Sequence, residues 1–195
     1  MKRMLSALAA LALVATLASC AADPLAEQYR DGDNKGYIAG DFRVVEIDPA
    51  DRTEPVAFTG VDEAGAAVAS DDFAGQVLVV NFWYAACGPC RAEAPELNEA
   101  FDRTGGDDVA FLGVNTVDSA AAAAAFADTY EVSYPSVIAS EDPSVKLAFA
   151  EKTPINATPT TLVLDREGRV AARIIGQLPD ASVLATLIED VEAEA

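Results

Sequence analysis

The feature that most limits how this chain can fold is an apolar run followed closely by two cysteines. Residues 77–82 read Val-Leu-Val-Val-Asn-Phe, and such a dense run of β-branched and apolar residues predicts a strand buried on both faces. The apolar positions that come next recur at helical spacing: Cys90, Ala94, Leu97 and Phe101. The sequence therefore predicts that Cys87 and Cys90 lie where a buried strand gives way to a helix.

This position favours chemistry at the cysteine pair. The unpaired amides and the dipole at a helix N-terminus stabilise a thiolate at Cys87, and the thiolate is the nucleophilic form of cysteine. Cys90 lies one helical turn further on, from where it can attack a mixed disulfide formed at Cys87. Pro89 gives up no helical hydrogen bond in a first turn. We interpret the pair as redox-active; a static disulfide and half of a zinc site shared with a second chain are the alternatives.

The composition excludes several other kinds of chemistry. The 195 residues suffice for one domain with a core, and a formal net charge of −19 argues against a nucleic-acid partner. The chain has no histidine, so histidine-dependent triads and histidine-ligated metals are excluded. Three cysteines are too few for an all-cysteine metal site within one chain. The chemistry must therefore use cysteine, carboxylates or a bound cofactor. We expect no metal, and no cofactor other than a Cys87–Cys90 disulfide.

The first twenty residues have the organisation of an export signal. Lys2 and Arg3 precede an uncharged apolar stretch, residues 4–18, which is shorter than a membrane span and typical of a signal peptide. The stretch leads into Leu-Ala-Ser-Cys at residues 17–20, which resembles the bacterial lipobox and implies that Cys20 carries a lipid. An uncleaved anchor helix with an incidental cysteine is the alternative. We expect a lipoprotein-type signal peptide at 1–19, a tether at 20–42 and one domain at 43–195.

The rest of the chain alternates strand and helix patterns, which predicts an α/β fold around a mixed sheet. Two short strands, Arg43–Ile47 and Val56–Val61, flank a turn signal at 48–51 and predict an N-terminal β-hairpin. A second hairpin is expected across the turn at 165–168. The remaining expected elements are a strand at 109–114, an alanine-rich helix from about 120, a strand at 136–139, a helix at 142–149 and a C-terminal helix through residues 183–191.

Four motifs resemble the thioredoxin superfamily, and within it the TlpA/ResA-like extracytoplasmic thiol–disulfide oxidoreductases. They are Asn81-Phe82-Trp83, Cys87-Gly88-Pro89-Cys90, Arg91-Ala92-Glu93-Ala94-Pro95 and Ala157-Thr158-Pro159-Thr160. The resemblance implies a thioredoxin-like fold in which helices flank a mixed central sheet. Cys90 and Pro159 are 69 positions apart, further than in plain thioredoxins, and the surplus resembles a TlpA/ResA-type insertion.

The resemblance also implies roles for individual residues. Cys87 and Cys90 are the catalytic pair, and Pro159 is a cis proline that faces them. Cytoplasmic thioredoxins have an aspartate at the place of Asn81, and an amide cannot accept a proton. Glu93 is the expected proton relay for Cys90, with a solvated first-turn glutamate as the alternative. The residues expected to contact substrate are Trp83, Gly88, Pro89, Thr158 and Pro159.

The expected function is a membrane-anchored protein disulfide reductase. The family implies protein disulfides as substrates, apocytochrome c among them, and a membrane thiol carrier as the electron donor. We expect a monomer. One departure from the family is Ala86, which replaces the usual tryptophan before the first cysteine and leaves the partner open. The alternatives are a disulfide oxidase or isomerase, and a non-enzymatic binding lipoprotein with a static disulfide. A peroxidase is disfavoured because no peroxiredoxin-type motif surrounds Cys87.

Overall fold

A seven-stranded mixed sheet organises the described part of the chain. The computed structural model describes residues 37–39, 42–152, 155 and 157–194, so the predicted signal peptide, Cys20 and most of the predicted tether lie outside it. The sheet order is β1-β2-β9-β8-β5-β6-β7, and β3 and β4 form a separate hairpin. The strands are β1 Tyr37–Ala39, β2 Phe42–Glu46, β3 Thr59–Val61, β4 Ala67–Ala69, β5 Val77–Trp83, β6 Val109–Asn115, β7 Ser136–Ile138, β8 Thr160–Leu164 and β9 Val170–Ile175.

Strand β5 is the centre of the sheet, as its apolar run predicts. It pairs in parallel with β6 and antiparallel with β8, and all seven of its residues are buried. Successive side chains alternate between the two faces. Val77 and Val79 enter one core cluster, whereas Leu78, Val80 and Phe82 enter the other. A strand covered on both faces in this way ends at the cysteine segment with little freedom to move.

Four helices cover the two faces of the sheet in the described residues: α1 Gly88–Thr104, α2 Ala120–Tyr130, α3 Ser144–Lys152 and α4 Ala181–Glu192. Leu97 of α1 and Leu184 of α4 belong to the core on one face, and Phe149 of α3 belongs to the core on the other. The helix starts follow local chemistry. The Oγ of Ser119 accepts the Ala122 amide and caps α2. These contacts confirm the expected thioredoxin-like layering.

The N-terminal segment differs from the sequence expectation in two ways. The strands predicted to flank the turn at 48–51 do not pair with each other, because β2 pairs with β1 and β9 while β3 pairs with β4. The expectation of one hairpin there was therefore wrong, and two separate hairpins precede β5. The sheet also begins at Tyr37, inside the predicted tether at 20–42. Both differences come from the choice of strand partner, β9 far along the chain for β2 and the nearby β1 and β4 for the two hairpins, which side-chain periodicity does not specify.

The hairpin of β3 and β4 covers the end of the sheet. The Glu63 carboxylate accepts the backbone amide of Ser136 at 2.7 Å, and the Glu63 amide donates to the Ser136 carbonyl at 3.2 Å. Both main-chain groups of this residue in the edge strand β7 are thereby occupied. An edge strand covered in this way is protected from pairing with another chain. In the described residues, none of the helices has the length and apolar character needed to cross a membrane.

Gly113 on β6 gives a direct test of the packing behind the cysteine segment. A Cβ at this position would lie 2.1 Å from the Ser136 Oγ and 2.8 Å from the Trp83 Nε1. We expect Gly113→Ala to lower the free energy of unfolding by about 1–3 kcal/mol, because the strand is buried and the added methyl group has no space. Urea unfolding measures this. Gly106→Ala is the matched control, since nothing lies within 4 Å of its Cβ, and a similar loss in both variants would contradict the account.

Candidate active site

The two cysteines form a disulfide at the junction of β5 and α1. Their sulfurs are 2.07 Å apart, and Cys87 is the residue that caps the N-terminus of α1. Its Sγ accepts a hydrogen bond from the backbone amide of Cys90 at 3.1 Å. The prediction that the pair lies between a buried strand and a helix is confirmed. The sulfur of Cys87 therefore occupies the position where helix amides stabilise negative charge.

The disulfide lies just beneath the surface. Cys87 is 3% exposed and Cys90 is 2% exposed, yet the neighbouring residues Ala86, Gly88 and Pro89 are all exposed. Cys90 belongs to the inner face of α1, where it packs in a cluster with other buried residues. Cys87 lies at the cap, before the first turn of α1, whereas Cys90 lies within that turn on the buried face of the helix.

The loop that precedes β8 contains Pro159 and lies next to the disulfide. The Thr158–Pro159 peptide bond is cis, and the Thr158 carbonyl oxygen lies 4.0 Å from the Cys87 Sγ. The expectation of a cis proline facing the cysteines is confirmed. The loop is fixed at both ends, because the Thr160 hydroxyl donates to the Ala157 carbonyl and the Gly176 amide donates to the Pro159 carbonyl. Thr158 is half-buried and Pro159 is buried.

Trp83 supports the site from below. It is 5% exposed, its Nε1 donates to the Ser136 Oγ at 3.2 Å, and its ring centroid lies 4.2 Å from that of Phe126. In this arrangement the indole fixes the position of the β5 end and offers little surface to another molecule. The expected substrate contacts of Trp83, and those of Gly88, Pro89 and Thr158, stay predictions.

Glu93 is fully buried beneath the cysteines. Its Oε1 accepts the Asn81 side-chain amide at 2.9 Å, and its Oε2 accepts the backbone amide of Leu178 at 2.8 Å. Asn81 also donates to the Thr161 Oγ1 at 3.0 Å. The alternative of a solvated first-turn glutamate is therefore wrong, because this side chain has no exposed surface. One carboxyl group joins the central strand, helix α1 and the loop before α4.

Burial changes the acid chemistry of this carboxyl group. Loss of solvent raises the pKa of Glu93 from 4.5 to about 7, while the amide donors Leu178 and Asn81 oppose the shift. Burial, and next the charge of Glu93, raise the pKa of the nearby Tyr134 hydroxyl, which therefore stays protonated. Glu93 is thus able to bind and release a proton near neutral pH.

A small cavity is lined by the second cysteine and by Asn81, the hydrogen-bond partner of this acid group. Its volume is about 10 Å³, close to the roughly 10–15 Å³ that one water molecule needs. The side chains around it are Asn81, Trp83, Cys90, Ala94, Leu97, Phe126, Val132 and Tyr134. Asn81 contacts both the cavity and Glu93. The cavity therefore has room and polar partners for one water between Cys90 and the Asn81–Glu93 pair.

Three parts of this site were not found from the sequence. Tyr134 was not predicted to belong to the site, and the Leu178 amide is a backbone group that no residue pattern marks. Asp118 was not predicted to belong to the site, yet its carboxylate accepts the Ala85 amide at 2.6 Å. The sequence signal available for Asp118 was its position three residues after Asn115, the last residue of the buried strand β6. In the described residues, no group of three or more acidic or cysteine side chains could hold a metal ion.

Comparison with known proteins agrees with this geometry. A family model described as Redoxin matches residues 46–188. The chain belongs to the redoxin family. This redoxin is also similar to two curated thiol–disulfide oxidoreductases named ResA. The Bacillus cereus protein is 26% identical over 120 residues, which are 62% of this chain and 66% of the relative.

The second ResA, from Geobacillus thermodenitrificans, is 30% identical over 107 residues, which are 55% of this chain and 59% of the relative. This redoxin thus spans less than two thirds of each relative's length. Among solved structures, a secreted thiol–disulfide isomerase from Corynebacterium glutamicum is 28% identical, with a TM-score of 0.67 over 76% of this chain and 92% of that one. The thioredoxin-like fold and the ResA-like character expected from the sequence are confirmed.

The buried carboxyl group predicts a pH-dependent stability. Because Glu93 binds its proton more tightly in the folded chain than in the unfolded one, the stability of the oxidised protein falls as pH rises from about 4.5 to about 7. The contribution is on the order of 3 kcal/mol. Urea unfolding across this range should show that Glu93→Gln lacks this component.

The matched control is Glu99→Gln, an exposed glutamate on the same helix, which should keep the wild-type pH dependence. The other carboxylates titrate alike in all three proteins, so only the difference between the curves is interpreted. Parallel curves for wild type and Glu93→Gln would contradict the assignment.

Proposed function

We propose that this redoxin is a thiol–disulfide oxidoreductase that reduces protein disulfides with the Cys87–Cys90 dithiol. The observation that carries the proposal is the position of the Cys87 sulfur, which receives the Cys90 amide at 3.1 Å and lies 4.0 Å from the Thr158 carbonyl. Such a sulfur is stabilised as a thiolate and lies next to a backbone segment that can pair with an extended peptide. The name of the ResA relatives supports the same activity.

The reaction proceeds in two exchanges. The Cys87 thiolate attacks one sulfur of the substrate disulfide, that bond breaks, and the second substrate sulfur leaves as a thiolate. Cys90 then loses its proton and attacks the Cys87 sulfur of the mixed disulfide. The Cys87–Cys90 bond forms and the first substrate sulfur leaves reduced. Two electrons pass to the substrate, and no cofactor beyond the cysteine pair takes part.

Glu93 supports the second exchange as the proton acceptor for Cys90. It follows Cys90 by one helical turn, and Asn81 contacts both Glu93 and the cavity beside Cys90. A carboxyl group with a pKa of about 7 can take a proton at neutral pH and return it to solvent later. A water in the cavity would complete the path from the thiol to the carboxylate.

The residues between the cysteines favour the reducing direction. The Gly88-Pro89 pair is that of reducing thioredoxins, whose potential is about −270 mV, whereas the strong oxidant DsbA has a potential of about −120 mV. Disulfide isomerisation is the second candidate function. It is favoured by the likeness to the secreted isomerase from Corynebacterium glutamicum.

We place the domain outside the cytoplasm, held at the membrane by a lipid on Cys20. The apolar stretch at residues 4–18 and the Leu-Ala-Ser-Cys sequence at 17–20 support this location. The name of the Corynebacterium glutamicum isomerase, which describes it as secreted, agrees with it. A membrane thiol carrier would recharge the disulfide, and protein disulfides such as that of apocytochrome c would be the substrates. We propose that the chain acts as a monomer.

The proposed order of attack predicts which single-cysteine variant traps a substrate. In a Cys20→Ser background, Cys90→Ser should form a stable mixed disulfide with a disulfide-bonded peptide, because nothing remains to resolve it. Cys87→Ser should form little, since Cys90 lies on the buried face of α1 and does not occupy the N-cap position where helix amides stabilise a thiolate. Mass spectrometry after incubation at neutral pH measures both adducts.

The reduced wild-type dithiol is the comparison. It should release the peptide in reduced form and accumulate the Cys87–Cys90 disulfide. If neither single-cysteine variant forms an adduct, or if reduced wild type leaves the peptide disulfide intact, the disulfide is static and the proposed function is wrong.

A further inference from the structure

The loop between β6 and α2 is bonded directly to the segment that carries Cys87. The Asp118 carboxylate accepts the Ala85 amide through its Oδ2 at 2.6 Å. In the same loop, the Thr116 amide and hydroxyl both donate to the Trp83 carbonyl, at 3.0 and 3.2 Å. Two residues of the active-site segment, Trp83 and Ala85, are thereby held from outside the Cys-x-x-Cys motif.

Asp118 is itself fixed in position. Asn115, which is fully buried, donates its side-chain amide to the Asp118 Oδ2 at 2.9 Å and accepts the Asp118 amide at 2.8 Å. The Ser140 hydroxyl donates to the Asp118 carbonyl at 2.6 Å. The carboxylate does not serve as the cap of α2, because Ser119 has that role. It instead accepts hydrogen bonds from the Asn115 side-chain amide and the Ala85 backbone amide.

The Ala85 amide lies two residues before the nucleophile. The turn that contains Ala85 is closed by the Cys87 amide, which donates to the Tyr84 carbonyl at 3.1 Å. The backbone orientation of Cys87 at the end of this turn sets the position from which its sulfur accepts the Cys90 amide. A hydrogen bond to a charged acceptor is roughly twice as strong as a neutral one, so Asp118 is well suited to hold the turn.

We infer that Asp118 is a positioning residue for the Cys87 nucleophile: by holding the Ala85 amide, it keeps the Cys87 sulfur aligned with the N-terminal amide of α1. The inference rests on the proposed thiol chemistry of Cys87 and deepens it. Asp118 contacts neither sulfur in this role. It acts through the backbone of the turn, and this role depends on the hydrogen bond from the Ala85 amide rather than on a negative charge near the Cys87 sulfur.

The test compares two substitutions at this position. In a full chain carrying Cys20→Ser and Cys90→Ser, Cys87 is the sole thiol, and its rate of alkylation by iodoacetamide is measured against pH. Asp118→Ala removes the acceptor, and we expect roughly tenfold slower alkylation at pH 7 and a midpoint at higher pH. Asp118→Asn keeps an oxygen that can accept the Ala85 amide, and it should recover most of the lost rate.

A matched control is Asp128→Ala, an exposed aspartate on α2 that should leave the alkylation profile unchanged. Equal effects of Asp118→Ala and Asp118→Asn would overturn the inference, because the charge rather than the hydrogen bond would then act on the thiolate. A lowered melting temperature with an unchanged alkylation profile would overturn it too, since Asp118 would be structural only.

A second measurement needs no variant and covers the case in which Asp118→Ala does not fold. Amide hydrogen exchange of the wild-type chain should show Ala85 protected, and exchange as fast as that of an exposed loop amide would contradict the proposed bond. Failure of the proposed function gives a different result from failure of this inference. If the proposed function is wrong, the wild-type dithiol does not reduce a peptide disulfide, whatever the effect of Asp118 on alkylation.

Discussion

The hydrogen bond from the Cys90 amide to the Cys87 sulfur is the interaction on which the account of this site depends. It exists because α1 begins at Gly88, so the first amides of the helix have no carbonyl partners within it. The bond has the right geometry because β5 is buried on both faces and fixes the position of the cysteine segment that follows it. A cysteine elsewhere on this sheet would be an ordinary small apolar residue.

The layers around the cysteines have separate tasks. The cis-proline loop from β8 brings a backbone carbonyl to Cys87, while the loop after β6 holds the segment that precedes it. Beneath both, Glu93 is a carboxyl group without exposed surface in a chain that has no histidine. Burial gives this carboxyl group a pKa near neutrality, where histidine would usually serve. In the proposed reaction, the site thus separates charge stabilisation at one sulfur from proton transfer at the other.

Much of this arrangement could be read from the sequence, and the reason is local. The apolar run of β5 and the helical spacing after Cys90 are short-range patterns, and burial follows from them directly. The three-residue spacing between Cys90 and Glu93 likewise placed the acid group near the second cysteine. The partner of β2, by contrast, was predicted wrongly, because strand pairing joins segments far apart in sequence.

The same limit applied to the polar contacts of the site. Glu93 accepts an amide from Leu178, 85 positions later, and Asp118 accepts one from Ala85, 33 positions earlier. Backbone amides are present at every residue except proline, so their choice of partner leaves no mark in composition or periodicity. Periodicity showed which side chains are buried, but only the fold shows which distant amide each carboxylate meets.

The most direct test of the central claim is the reduction potential of the Cys87–Cys90 couple, measured by equilibration of the Cys20→Ser chain with glutathione or thioredoxin. We expect a reducing couple with a potential near −270 mV, the approximate value for thioredoxin. A potential near −120 mV, the approximate value for DsbA, would contradict the reductase assignment, and a disulfide that neither couple can reduce would contradict redox activity altogether.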